Sequence, residues 1–179
     1  MTYQASYFEA QRYTETLGMI APKLSMMTGR RITQAHGMQL MSRLSDFNPT
    51  LGNPYAFVLQ CAGRTAELRP LVEDVLQMSC AITIGDVFMR GAPIFAFDIE
   101  KFPELGKTGN YHVWLTVESG EIVDLTLMAS LYLHYGKPVE EASPIAGLPD
   151  EISGFVWHPA LVGDEALNVL LSASMGLDG

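Results

Sequence analysis

Three side chains that can carry out nucleophilic catalysis stand in the order Cys61, His112 and Asp124 along this sequence. A thiolate is a strong nucleophile, and a neighbouring histidine both stabilises it and transfers protons during acyl transfer. A carboxylate beside the histidine orients the imidazole ring and stabilises its cation. The three residues therefore predict attack of a thiolate on an amide or ester carbonyl, with a thioester as the intermediate.

The segment Tyr111–Thr126 is predicted to form a β-hairpin, and the length of its turn decides whether His112 and Asp124 share a sheet face. A two-residue turn at Ser119–Gly120 would put them on opposite faces. A three-residue turn, Glu118–Gly120, with its glycine in the left-handed conformation of a bulge, makes them diagonal neighbours on one face. We expect the longer turn, because the shorter one sets two glutamates directly against each other and like charges repel.

Two cysteines compete for the role of nucleophile. Cys61 precedes a helical stretch that leads to a strand opening at Ala81, and Cys80 lies at the other end of that stretch. The positive end of the helix dipole and its free N–H groups stabilise a thiolate, whereas the C-terminal end destabilises it. These rules favour Cys61. If the pair Asn53-Pro54 starts the helix, however, Cys61 lies about two turns inside it and loses most of this advantage.

This arrangement resembles the transglutaminase-like superfamily of papain-type cysteine enzymes. The resemblance spans Cys61 to Thr126 and rests on a helix-borne cysteine, a His-x-Trp-x-x-Val strand, a short turn and the sequence Ile-Val-Asp-Leu-Thr. It implies that Cys61 is the nucleophile, His112 the general base and Asp124 the orienting acid. It also implies a papain-like α+β fold and a cysteine hydrolase, such as a thiol protease, or an acyltransferase.

Gln60 and Trp114 are the candidate substrate-binding residues. The Gln60 amide and the Cys61 backbone N–H could both donate to the oxyanion that forms on the attacked carbonyl. Trp114 is predicted on the same sheet face as His112, where its indole could shield the catalytic pair from water. We expect the substrate to be a peptide or a small-molecule amide or ester.

A second interpretation is a catalytically inactive protein of the same fold that serves as a binding or structural module. The apolar residues before Cys61, Phe57-Val58-Leu59, support it, because free cysteine is a common small core hydrophobe. The low fraction of charged residues, 17%, and the ten methionines favour an apolar surface covered by a second copy of the chain, as in a homodimer.

Composition and charge narrow the choice of partners. The net charge of −9 opposes binding to nucleic acid and to anionic membrane surfaces. The sequence has no apolar run long enough for a membrane span and no signal-peptide pattern, so we expect a cytoplasmic protein. We expect neither a metal nor a cofactor, because His36, His134 and His158 are scattered and the glycine motifs that bind phosphate are absent.

The elements that would position the candidate residues give an α+β pattern in a single domain, residues 1–179, with N-terminal helices packed on an antiparallel sheet. Apolar periodicity predicts helices over 6–20, 32–46, 54–62, 70–78 and 164–174. Residues rich in β-branched and aromatic side chains predict strands over 81–89, 94–98, 111–117 and 121–126. The segment Pro138–Pro149 is predicted to be a loop, and Gly176 to end the last helix.

Overall fold

The computed structural model describes residues 2–27 and 29–176. The α-helices of this part of the chain are α1 (Tyr3–Thr16), α2 (Gln34–Phe47), α3 (Cys61–Leu76), α4 (Leu105–Thr108), α5 (Leu127–His134) and α6 (Asp164–Ser174). Its strands are β1 (Cys80–Met89), β2 (Ala92–Phe95), β3 (His112–Val117), β4 (Ile122–Asp124), β5 (Ile145–Gly147) and β6 (Phe155–Val162). The helices and antiparallel strands confirm the α+β class.

The described residues form two compact units. The first contains residues 2–23, 81–113 and 149–176, and the second contains residues 24–27, 29–80 and 114–148. Each unit is therefore assembled from separate stretches of the chain. The expectation of a single domain stays a prediction.

The first unit is built on β1, which pairs antiparallel with both β2 and β6. Gly85 of β1 faces Pro159 of β6 where the register shifts. A Cβ atom at Gly85 would lie 2.1 Å from the carbonyl oxygen of His158, so glycine is what allows the two backbones to approach this closely. Helix α1 packs on β6, where the Thr14 hydroxyl accepts a hydrogen bond of 2.9 Å from the Val162 N–H.

The second unit contains the pairs β3–β4 and β4–β5, both antiparallel, together with α2, α3 and α5. Glu121, between β3 and β4, is fully buried. Its carboxylate accepts hydrogen bonds from the backbone N–H groups of Arg31 and Ile32 at 2.7 and 2.9 Å and from the Ser119 hydroxyl at 2.8 Å. These donors replace water around a buried charge and fix the segment before α2 to the hairpin.

The predicted helix over 54–62 is wrong, and the stretch predicted over 70–78 is the C-terminal part of a longer helix that ends at Leu76. Pro54–Phe57 forms only a 3₁₀ turn, and one continuous helix, α3, begins at Cys61 and passes through Pro70. Pro54 does start a helical turn, but Leu59 then adopts a left-handed backbone conformation with φ of 53°, which no helix can continue through. Pro70 is exposed, so water can satisfy the carbonyl group that loses its helical donor there.

The sequence prediction also misses or misplaces elements after residue 100. Within the loop predicted at 138–149, β5 pairs with β4. The sequence prediction has no strand at the position of β6. Pro159 of this strand lacks a backbone donor, which is tolerated here at an irregularity in the pairing. Strand β4 ends at Asp124, two residues earlier than expected, and α5 follows it. The short helix α4 was not predicted either.

The closing helix is confirmed over Asp164–Ser174, and Gly163, not Asp164, is its N-cap. Gly176 follows it in the left-handed conformation with φ of 68°, as expected of a residue just past a helix end. Among the described residues, no helix combines the length and the apolar composition that crossing a membrane requires.

Candidate active site

Cys61 is the first residue of α3. The preceding 3₁₀ turn is a separate element, so the thiol lies at a helix N-terminus and not two turns inside a helix. Among the described residues, the side chain of the N-cap Gln60 makes no capping hydrogen bond to the first turn. The first N–H groups of a helix have no acceptor within it, and they point towards an anion formed there. Cys61 is partly exposed and is a free thiol.

The loop that leads into Cys61 is held by one long-range hydrogen bond. The backbone N–H of Leu59 donates to the Ser130 hydroxyl at 2.9 Å. That hydroxyl in turn donates to the carbonyl oxygen of Thr126 at 3.0 Å. The positive φ of Leu59 is unfavourable for a side chain of this size, and the bond to α5 helps to retain it.

Asp124 ends β4 and is completely buried. One of its carboxylate oxygens accepts hydrogen bonds from the backbone N–H groups of Thr126 and Leu127, at 3.3 and 3.1 Å. These bonds satisfy donors at the start of α5, as a side-chain cap does. The start of α5 therefore makes hydrogen bonds both to the Asp124 carboxylate and, through the Ser130 hydroxyl, to the loop before Cys61.

The predicted register of the hairpin is confirmed. Leu115 pairs with Val123 and Thr116 with Ile122, as a three-residue turn requires. Gly120 takes the left-handed conformation with φ of 79°. The same register, continued by one residue along each strand, sets Trp114 opposite Asp124. The hairpin turn thus has the length that the prediction of His112 and Asp124 as diagonal neighbours on one sheet face requires.

His112 begins β3 and belongs to the first unit, whereas Cys61 and Asp124 belong to the second. Its side chain is 1% exposed. The imidazole stacks on the Phe95 ring, with 5.0 Å between ring centroids and 17° between ring planes. The phenyl ring therefore fixes one face of the imidazole. The contacts of His112 with Asp124 and with Cys61 stay predictions.

The two predicted substrate-binding residues differ sharply in exposure. Trp114 is fully buried, as a side chain that shields polar groups from water must be. Gln60 is exposed beside Cys61, with its amide on the surface. The roles assigned to both residues stay predictions.

Cys80 is chemically different from Cys61. Burial, and to a smaller extent the negative charge of Glu73, raises the pKa of the Cys80 thiol to about 12. The backbone N–H of Cys80 donates to the Glu73 carboxylate at 2.9 Å. Near neutral pH this thiol is protonated and surrounded by protein, which leaves Cys61 as the candidate nucleophile.

Sequence reasoning missed Ser130 and Thr126. Thr126 is the N-cap of α5 and Ser130 lies in its first turn. The only signal in the sequence is their spacing of four residues, which lets a serine hydroxyl bond back to the carbonyl group four residues earlier. The Thr126 hydroxyl is completely buried and, among the described residues, has no hydrogen-bond partner. Such a group is uncommon in a folded protein.

Among residues 2–27 and 29–176, no three His, Cys, Asp or Glu side chains are grouped closely enough to hold a metal ion. The chemistry available at the start of α3 is therefore that of a thiol, backbone N–H groups and an exposed amide. Comparison with family models, curated proteins and solved structures finds no match to this chain.

Proposed function

We propose that this protein is a cysteine hydrolase or acyltransferase of the transglutaminase-like, papain-type fold, with Cys61, His112 and Asp124 as its triad. The observation that carries the proposal is that α3 begins at Cys61. A thiol in the first turn of a helix is well placed to be stabilised as a thiolate. Such a thiolate attacks acyl carbon, so we infer an amide or an ester as the substrate.

The reaction has two halves. In the first, His112 takes the proton of the Cys61 thiol, and the sulfur bonds to the carbonyl carbon. The first N–H groups of α3 and the Gln60 amide stabilise the oxyanion. The carbon–nitrogen or carbon–oxygen bond then breaks, the leaving amine or alcohol takes the proton from His112, and a thioester remains.

The second half regenerates the thiol. Water, or an acceptor amine or alcohol, gives a proton to His112 and attacks the thioester carbon. The carbon–sulfur bond breaks, and His112 returns the proton to the sulfur of Cys61. Asp124 holds the imidazole in one tautomer throughout both halves and stabilises its cation.

Two further observations support Asp124 in this role. Its carboxylate is anchored by two backbone N–H groups, so its position is fixed before any substrate binds. The observed register of β3 and β4 is also the one that makes His112 and Asp124 diagonal neighbours on one face of the hairpin.

A catalytically inactive binding or structural module is the second candidate. Cys61 is only partly exposed, and a cavity of about 760 Å³ in the same unit is lined by residues other than Cys61. A protein that binds a ligand without transforming it can have such an arrangement. On this alternative, Cys61 reacts like an ordinary thiol, and replacement of His112 does not change its rate of alkylation.

The test is a pH series of iodoacetamide labelling on the native protein, with each cysteine located by peptide mass spectrometry. We expect Cys61 to label rapidly well below pH 8 and this fast labelling to be lost in His112→Gln. His134→Gln is the matched control, because His134 is an exposed histidine at the end of α5. Circular dichroism checks that each variant is folded.

A second readout separates the two candidates. With p-nitrophenyl acetate, the enzyme should release one equivalent of p-nitrophenol in a burst and carry the acetyl group on Cys61. Cys61→Ser should abolish the burst, and Cys80→Ala should retain it. Slow labelling of Cys61 that is insensitive to His112, with no burst, would overturn the triad and leave the inactive module.

A further inference from the structure

The second unit contains a cavity of about 760 Å³ between α2 and the C-terminal half of α3, which we call the α2–α3 cavity. Val72, Val75 and Leu76 of α3 line it together with Val123 of β4. All four are buried or nearly so and form an apolar floor. A cavity of this size, mainly apolar with a few polar groups, is typical of a small-molecule site.

The α2 side of the cavity is formed by flexible apolar side chains. Met38 and Met41 line it, although they are 68% and 49% exposed. Exposure of large apolar residues is unfavourable unless something covers them, and methionine adapts to ligands of irregular shape. Only Leu40 and Leu44 of α2 are buried, so much of the apolar surface of this helix is available to a ligand.

The charge of the lining is opposite to that of the whole protein. Asp and Glu outnumber Lys and Arg by 20 to 11 in the chain. Among the described residues that line the cavity, however, Arg30 carries the only permanent charge and there is no carboxylate. An apolar chamber with a single cationic side chain favours an anion with an apolar body over a cation or a polar molecule.

Both polar groups of interest at the cavity are held by hydrogen bonds. Arg30 precedes the two residues whose N–H groups are bound by the buried carboxylate of Glu121, so its backbone is anchored. His36 Nδ1 accepts a hydrogen bond of 3.3 Å from the Thr33 N–H, so Nε2 is the ring atom left to donate to a ligand. A guanidinium and an imidazole N–H suit a carboxylate ligand.

We propose that the α2–α3 cavity binds a carboxylic acid with a single apolar chain. The carboxylate lies at Arg30 and His36, and the chain packs on Met38 and Met41. The site shares no residue with the proposed triad, and binding here does not depend on the protein's being an enzyme.

The first experiment is a fluorescence titration of the full chain with 11-(dansylamino)undecanoate below its critical micelle concentration. Decanoate, decanol and decyltrimethylammonium then compete as probes with the same apolar chain and a negative, neutral or positive head group. We expect decanoate to displace the dye at least tenfold more effectively than either of the others. Equal displacement by the cationic amphiphile, or no binding of the dye, would overturn the proposal.

Two pairs of matched variants locate the site. Met38→Glu places a carboxylate in the lining, whereas Gln39→Glu places the same charge on the neighbouring exposed position of α2 that does not line the cavity. Arg30→Gln removes the cation of the lining, and Arg31→Gln removes an exposed cation next to it. These changes fall on exposed side chains, so the fold should tolerate them.

We expect Met38→Glu and Arg30→Gln each to weaken binding of the dye and of decanoate at least tenfold, with less than a twofold change in Gln39→Glu and Arg31→Gln. If all four variants bind alike, the dye binds elsewhere on the surface and the α2–α3 cavity is not its site.

Discussion

The two cysteines lie at opposite ends of one helix and differ in almost every property that governs thiol chemistry. Cys61 starts α3, is partly exposed and follows an exposed glutamine. Cys80 comes four residues after the helix ends, is 6% exposed and has its pKa raised to about 12 by burial and by Glu73. A helix dipole favours an anion at the first position and disfavours it at the second.

This difference shows that the residues around a thiol determine its use more than the residue type does. Glu73, in the last turn of α3, binds the Cys80 N–H and places negative charge beside its sulfur. At the other end, Leu59 and Ser130 fix the loop from which α3 starts. One end of the helix is built to suppress a thiolate, and the other has the features that would stabilise one.

The largest expected effect is on alkylation of the native chain. A pKa of about 12, in place of the ordinary 9.0, leaves Cys80 with about a thousandth of the usual thiolate at neutral pH. We expect iodoacetamide to label Cys61 and not Cys80 until guanidinium unfolds the protein. Peptide mass spectrometry on Cys61→Ser, which should remain unlabelled when native, provides the control. Comparable labelling of both thiols in the native protein would show that Cys61 and Cys80 do not differ in reactivity.

The stability of the protein should respond to pH through Cys80. Its pKa is higher in the folded chain than in the unfolded one, so between about pH 9 and 12 the folded state holds a proton that the unfolded state has lost. The contribution is full below pH 9 and is lost as pH rises towards 12, with a limiting slope of about 1.4 kcal/mol per pH unit.

Urea unfolding from pH 8 to 10.5 measures this slope. Cys80→Ala should reduce the loss of unfolding free energy over that range. Burial also raises the pKa of Tyr7, which contributes in the same direction in every variant and therefore cancels from the comparison. An unchanged slope in Cys80→Ala would contradict the assignment.

Ser130→Ala should loosen only the Cys61 end of α3. It removes the acceptor of the Leu59 N–H, and a hydrogen bond of this kind contributes about 1 kcal/mol. We expect faster hydrogen exchange at Leu59 and an unchanged alkylation of Cys80. Ser42→Ala is the matched control, because the Ser42 hydroxyl bonds only to a carbonyl of its own helix, at 2.8 Å. Equal exchange in the two variants would mean that Ser130 does not hold the loop.

The smallest effect belongs to Glu73→Gln. The amide oxygen can still accept the hydrogen bond from the Cys80 N–H, but the negative charge is gone. Because burial is the larger cause of the raised pKa, removal of the charge should lower that pKa only modestly and speed alkaline alkylation of Cys80 a few-fold. A rise as large as that on unfolding would show that the charge, and not burial, protects the thiol.

Local rules were enough to predict the hairpin and the last helix. Gly120 supplies the left-handed residue of the turn, and the three-residue turn avoids setting Glu118 against Glu121. Asp164 in the first turn and Gly176 beyond the end define α6 by charge and conformation. In each case the deciding interactions lie within a few residues along the chain.

Elements that depend on distant residues could not be predicted in this way. Strand β6 contains Pro159, and it exists because Gly85, far away in sequence, leaves room for its backbone. The start of α3 depends on a left-handed Leu59, a conformation that the residue type disfavours and that a hydroxyl on α5 helps to hold. The sequence offered two possible starts for the helix that carries the candidate nucleophile, Pro54 and Cys61. Local propensity could not decide between them.

The order in which the chain is synthesised gives the pairing of α1 with β6 a further consequence. All residues of the second unit have been translated before β6, at Phe155–Val162, is made. The first unit, by contrast, joins α1 to β6 through the bond between Thr14 and Val162, so α1 cannot make this contact until residue 162 has been translated. On the ribosome, the unit that contains Cys61 can fold first, while α1 keeps its apolar face exposed until β6 has been made.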